Sequence, residues 1–128
     1  MKVILDTHAF LWWIADSDRL SRRAREILGE PGNTLYLSAA SAWEIVLKQQ
    51  IGKLKLPQPA AKYIPSQLAL NRIDTLPISL SHTLRLADLP LHHRDPFDRI
   101  LIAQSIVERM PIVTADPQFA RYSAKTLW

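Results

Sequence analysis

Asp6, Glu44, Asp98 and Asp116 are the acids whose positions suit chemistry. Asp6 directly follows the apolar run KVIL, and Asp116 ends PIVTAD. Glu44 falls about two helical turns after TLYLS, and Asp98 stands at the head of the apolar run ILIAQ within HRDPFDRILIAQS. The chain has only 12 Asp and Glu against 16 Lys and Arg, a formal net charge of +4, so an acidic cluster on it would be a local exception. Carboxylates a few ångströms apart cannot all stay ionised in a low dielectric, and a divalent cation resolves that conflict. All-oxygen ligation suits Mg²⁺ or Mn²⁺, and Mg²⁺ commonly keeps waters and takes phosphate oxygens to complete its shell. An ion so held lowers the pKa of a bound water and neutralises charge on a phosphodiester under attack.

The elements around these acids follow from periodicity and punctuation. KVIL (residues 2–5) has the continuous apolar character of a central parallel strand, and THAFLWWIA carries helical spacing towards Asp16. Ser21 caps SRRAREILG, which Gly29 and Pro31 end. TLYLS (34–38) is a second strand, followed by a helix of about three turns ending near Gly52, with Trp43, Val46, Leu47 and Ile51 on its apolar side. AAKYIPSQLALNR reads as helix despite Pro65, IDTLPIS as an edge or third strand, and SHTLRLADLP as a short helix closed by Pro90. A clear helix spans roughly Pro96 to Arg109, and PIVTAD is a further buried strand. Strands alternating with helices predict an α/β sandwich on a mostly parallel sheet. In such a sheet ligands bind beyond the carboxyl ends of the strands, where Asp6 and Asp116 fall.

The 128 residues form one expected domain, 1–128, able to bury about two-thirds of the unfolded surface. Composition, 48% apolar and 22% charged, is globular, and no apolar stretch is long enough to span a bilayer. Asp6 and His8 interrupt the apolar N-terminus, which argues against a signal peptide and for a cytoplasmic location. The absence of cysteine excludes disulfides and thiolate metal sites. A sequence pI near 9.7 favours polyanion partners.

Plainer roles compete at each position. Glu44 can pair with Lys48 at i, i+4, and that pairing is compatible with a working carboxylate. Asp116 before Pro117 can initiate a turn, and Asp98 can serve a helix dipole. Asp95 reads as an N-cap, with Pro96 at the first helical position and the backbone N–H of Phe97 or Asp98 as its donor. His92 and His93 read as a solvent-facing pair, with no Cys or i, i+4 His to make a zinc site. Trp12, Trp13 and Trp43 read as core or dimer contacts, and Arg94 and Arg99 as phosphate contacts flanking the cleft.

Taken together, LDTHAFLWW, SAASAWEI, HRDPFDRILIAQS and VTADPQF resemble the four motifs of PIN-domain ribonucleases, in particular the VapC-type toxins of bacterial type II toxin-antitoxin pairs. The resemblance implies a three-layer α/β/α fold, Mg²⁺- or Mn²⁺-dependent cleavage of RNA, and neutralisation by a cognate VapB-type antitoxin. It makes Asp6, Glu44, Asp98 and Asp116 the catalytic and metal-binding acids, with Thr114 as a strand-end hydroxyl near the substrate. Asp95 belongs to one subgroup of the family. The resemblance further implies a homodimer, and an antitoxin segment laid on an apolar groove at the first helices with Trp12 and Trp13. Two rivals are a non-catalytic PIN-like module that binds RNA or a partner, and a phosphoacceptor signalling domain. The latter would need an acid at the end of IDTLPIS and a lysine where Asp116 stands.

Overall fold

Lys2–Leu5 (β1) lies at the centre of a five-stranded, fully parallel sheet, and its three inner residues are completely enclosed. The computed structural model describes residues 1–128. After β1 come α1 (Thr7–Ile14), α2 (Arg22–Gly29), β2 (Thr34–Ser38), α3 (Ala39–Gln50) and α4 (Ala60–Leu70). β3 (Ile73–Leu76), α5 (Leu80–Arg85), α6 (Pro96–Glu108), β4 (Ile112–Val113) and β5 (Thr126–Leu127) complete the chain. The strand order is β3-β2-β1-β4-β5.

Alternation along β1 builds the three layers, because successive side chains of a strand point to opposite faces. Val3 and Leu5 join one core with Phe10 of α1, Ala24 and Leu28 of α2, and Ile64 of α4. Ile4 joins the other core with Ile100, Leu101 and Ala103 of α6 and with Phe119 and Tyr122. This is the α/β/α sandwich expected from the sequence, with IDTL as its edge strand and no acid at that strand's end.

Local signals set most boundaries. Ser21 accepts the Ala24 N–H at the start of α2, and Ser79 and His82 form a reciprocal capping box on α5. α4 is helical through Pro65, as read from the sequence, and the structure places that proline on the exposed side. Gly52 takes φ 75° just past α3, a left-handed turn that costs glycine no Cβ clash.

Two expectations change. Trp43, Leu47 and Ile51 do not face the core: they are 60%, 36% and 56% exposed, while Ala40, Ser41, Glu44 and Ile45 are the buried residues of α3. Small residues let α3 approach its neighbours closely, so the wide apolar stripe is left outside. The second change is β5, which periodicity does not reveal. Its two residues pair with β4, Thr126 opposite Ile112 and Leu127 opposite Val113.

Candidate active site

Strand register decides which polar residues meet. Leu5 is level with Leu37 on one side and with Val113 on the other, so Asp6, Ser38 and Thr114 emerge side by side at the carboxyl end of the sheet. Asp6 then caps α1: its Oδ1 accepts the Ala9 N–H at 2.6 Å, and its Oδ2 accepts the Thr114 hydroxyl at 2.5 Å. The same Thr114 oxygen accepts the Asp116 N–H at 3.0 Å, and Asp116 Oδ1 accepts the Gln118 N–H at 2.9 Å. One buried threonine thus fixes two acids. Thr114 was expected as a substrate contact; at 4% exposure its hydroxyl is instead committed to Asp6 and Asp116.

Asp98 arrives on the first turn of α6. Asp95 caps that helix as the sequence predicts, with its Oδ1 accepting both the Phe97 N–H at 2.9 Å and the Asp98 N–H at 3.2 Å. Phe97 packs edge-on against Trp43 of α3, with ring centroids 4.9 Å apart, and this contact ties the helix start to α3. Asp98 Oδ2 meets His93 Nε2 at 3.1 Å. His93 is therefore not the solvent-facing residue anticipated for it: its side chain is 13% exposed, and its Nδ1 lies 2.7 Å from the Tyr122 hydroxyl.

Electrostatics bind the three aspartates into one group. Burial pushes the Asp6 carboxyl above its ordinary value, against hydrogen bonds from Thr114 and Ala9 and the charge of His8, and Asp116 adds to the rise. Asp98 is pushed up from 3.8 to about 6, first by burial and then by the negative charges of Asp95 and Asp116, with His93 pulling it down. Asp116 thus faces both other acids. No lysine or arginine forms an ion pair with Asp6, Asp98 or Asp116. A buried Asp6 and a half-buried Asp98, each repelled by Asp116 and none of the three paired with a lysine or arginine, fit a divalent ion. No three acidic or histidine side chains are gathered tightly enough to close a metal shell by themselves.

Glu44 stands differently. It is 5% exposed, and both of its oxygens are engaged, one by the Thr7 hydroxyl at 2.7 Å and the other by Lys48 Nζ at 2.5 Å. The pairing with Lys48 foreseen from spacing is present, and Thr7, next to Asp6, connects Glu44 to the aspartates. Arg94 is exposed beside the α6 start. Arg99 is committed elsewhere, donating to the Pro90 carbonyl at 2.7 Å and to the Tyr122 hydroxyl at 3.2 Å.

Two concavities adjoin the acids. Asp6 and Asp116 open into a cavity of about 350 Å³ that is also lined by His8, Trp12 and Arg19. His8, Trp12 and Arg19 also line a groove of about 650 Å³ with an apolar floor that includes Leu11, Ile45 and Leu56, and with Lys48, Lys53 and Lys55 around it. Trp13, expected with Trp12, lies elsewhere, against Gly29.

Comparison with known proteins agrees with this geometry. Residues 3–125 match the family model described as PIN domain. The chain is 30% identical over 115 residues to ribonuclease VapC22 of Mycobacterium tuberculosis, spanning 89% of this chain and 86% of that protein. It is 43% identical over 58 residues to ribonuclease VapC16 of the same organism, a match covering 45% of this chain and 40% of that protein. Among solved structures, VapBC2 of Rickettsia felis bound to promoter DNA superposes with a TM-score of 0.74 at 18% identity, covering 99% of this chain and 98% of that one. VapBC-1 of nontypeable Haemophilus influenzae gives 0.69 at 16% identity, covering 99% and 97%. A family match across nearly the whole length, on a fold that sets the motif acids at the mouth of the sheet, has one reading: the chain belongs to the PIN-domain family, among relatives named VapC ribonucleases.

Proposed function

We propose that this protein is a metal-dependent endoribonuclease and the toxin of a type II toxin-antitoxin pair. The observation that carries the reading is the set of Asp6, Asp98 and Asp116, which share one negative field with no paired lysine or arginine. When bound, Mg²⁺ or Mn²⁺ would supply charge neutralisation at the phosphodiester and a water of lowered pKa.

The chain's own residues do the rest. Asp6 and Asp98 would hold the ion, each offering a carboxylate that burial makes costly to leave uncompensated. Thr114 and the Ala9 N–H fix the Asp6 rotamer, so no reorganisation is needed when substrate arrives. Asp116, oriented by Thr114 and Gln118, would help to hold the ion through water or position the attacking water. Glu44 works from the Thr7 side, steadied by Lys48. Arg94 and Arg19, exposed at the two flanks, suit the RNA backbone on either side of the cut.

Partners follow from the surfaces. Proteins of similar fold include toxin-antitoxin complexes, and the 650 Å³ groove, lined by apolar residues and by lysines, suits an antitoxin segment with apolar anchors and acidic flanks. The outward stripe of Trp43, Leu47 and Ile51 suits a second copy of the chain.

Replacing Asp6 or Asp98 by Asn should abolish Mn²⁺-dependent cleavage of RNA by the purified protein while leaving its far-UV circular dichroism unchanged. Full activity of both variants would sink the assignment. Mn²⁺ should also raise the melting temperature of the parent and not of Asp98→Asn; no shift in the parent would favour a non-catalytic RNA- or partner-binding module.

A further inference from the structure

Tyr122 is the centre of a hydrogen-bonded group that the acids alone do not require. Its hydroxyl lies 3.2 Å from the backbone nitrogen of His93, 3.2 Å from Arg99 Nη1 and 2.7 Å from His93 Nδ1. A phenol oxygen accepts through two lone pairs and donates one proton. The two fixed donors, a backbone N–H and a guanidinium, use the lone pairs, so the phenol proton points to His93 Nδ1. That nitrogen is an acceptor, and the imidazole proton sits on Nε2, from which it is donated to Asp98 Oδ2 at 3.1 Å.

We infer that His93 is a positioning residue for Asp98, set in its Nε2–H tautomer by Tyr122 and Arg99. The inference rests on Asp98 being a working carboxylate, as proposed above. Fixing Oδ2 by this hydrogen bond leaves Oδ1 the free oxygen, with a defined direction. The group also links two segments that must keep step. His93 belongs to the loop before α6, which Arg99 fastens through the Pro90 carbonyl, while Tyr122 belongs to the β4–β5 connection that carries Asp116. Tyr122 is itself buried, and the ring of His92 stacks edge-on against it at 4.9 Å, so the hydroxyl is held from several sides. Partners one shell removed from a metal-binding group orient that group, and their loss typically costs about 10–100-fold in metal affinity or activity.

The test uses the full chain and has three readouts. In metal-free protein, in the pH range where the ring is neutral, ¹⁵N spectra of the imidazoles should show His93 as the Nε2–H tautomer, identified by its disappearance in His93→Gln, and Tyr122→Phe should weaken that tautomer preference. A His93 ring found as Nδ1–H overturns the inference. In RNA cleavage with Mn²⁺, His93→Ala should lower kcat about 10–100-fold with little change in KM. Binding of Mn²⁺ alone should weaken in parallel. His93→Gln, whose amide can donate from nearly the same place, should recover most of the loss, and Tyr122→Phe should show a smaller loss in the same sense. Wild-type kcat and Mn²⁺ affinity in His93→Ala, or equal impairment in the Ala and Gln variants, overturns it. If Asp98→Asn keeps full cleavage, the catalytic reading of Asp98 fails on its own account, and the tautomer measurement still decides whether the hydrogen-bonded group exists.

Discussion

At the scale of single residues, Asp98 carries a conflict with a measurable sign. Its carboxyl titrates near 6 in the folded, metal-free protein against 3.8 as the ordinary value, so between those pH values the native state binds more protons than the unfolded chain. Stability from this group is complete below pH 3.8 and is lost as pH rises through about 6. Asp98→Asn removes the buried charge. Without metal and above pH 7, the variant should therefore be more stable than the parent, by about 1–2 kcal/mol once the carboxylate's partial exposure is allowed for. The advantage should vanish as pH falls towards 4. Chemical denaturation at pH 4.5 and 8 checks this, and an Asn variant less stable than the parent at pH 8 contradicts it.

At the scale of an element, the start of α6 divides its two aspartates between two jobs. Asp95 is exposed and supplies the cap, while Asp98 is largely enclosed and turned to His93. Asp95 also acts on Asp98 through its charge, as one cause of the raised pKa. Cap and charge can be separated. Asp95→Asn keeps an oxygen that accepts the two N–H groups and should cost little stability, whereas Asp95→Ala should cost about 0.5–2 kcal/mol. The Asn variant should also move the acid limb of the Mn²⁺-dependent pH profile to lower pH, since a negative neighbour of Asp98 is gone. An unchanged limb would mean that the Asp95 charge is screened from the site.

At the scale of the whole molecule, the exposed apolar stripe on α3 and the mixed groove beside α1 present two separate surfaces. The stripe is continuous, since Trp43, Leu47 and Ile51 recur at every fourth position on one helix face. Leu47→Lys with Ile51→Lys should convert a dimer into a monomer by light scattering, without touching Trp43, whose contact with Phe97 supports the α6 start. A parent protein that is already monomeric at tens of micromolar would refute self-association through this face.

Residue order alone carried much of this protein. Apolar runs broken by Ser21, Gly29, Pro90 and Asp95-Pro96 mark where elements begin and end, because caps and breakers act within a turn of the chain. The placing of Asp6 after β1 and the i, i+4 pair of Glu44 with Lys48 were legible for the same reason: both depend on neighbours in sequence. Tertiary structure decided whatever depends on neighbours in space. Thr114 meets Asp6 across 108 positions only because β4 pairs beside β1, and His93 meets Tyr122 across 29 positions only because the β4–β5 connection folds over the head of α6. The two-residue β5 and the outward turn of Trp43 were likewise hidden. A strand that short has no period to read, and which face of α3 is buried depends on how closely its partners approach, a distance that no pattern along one helix contains.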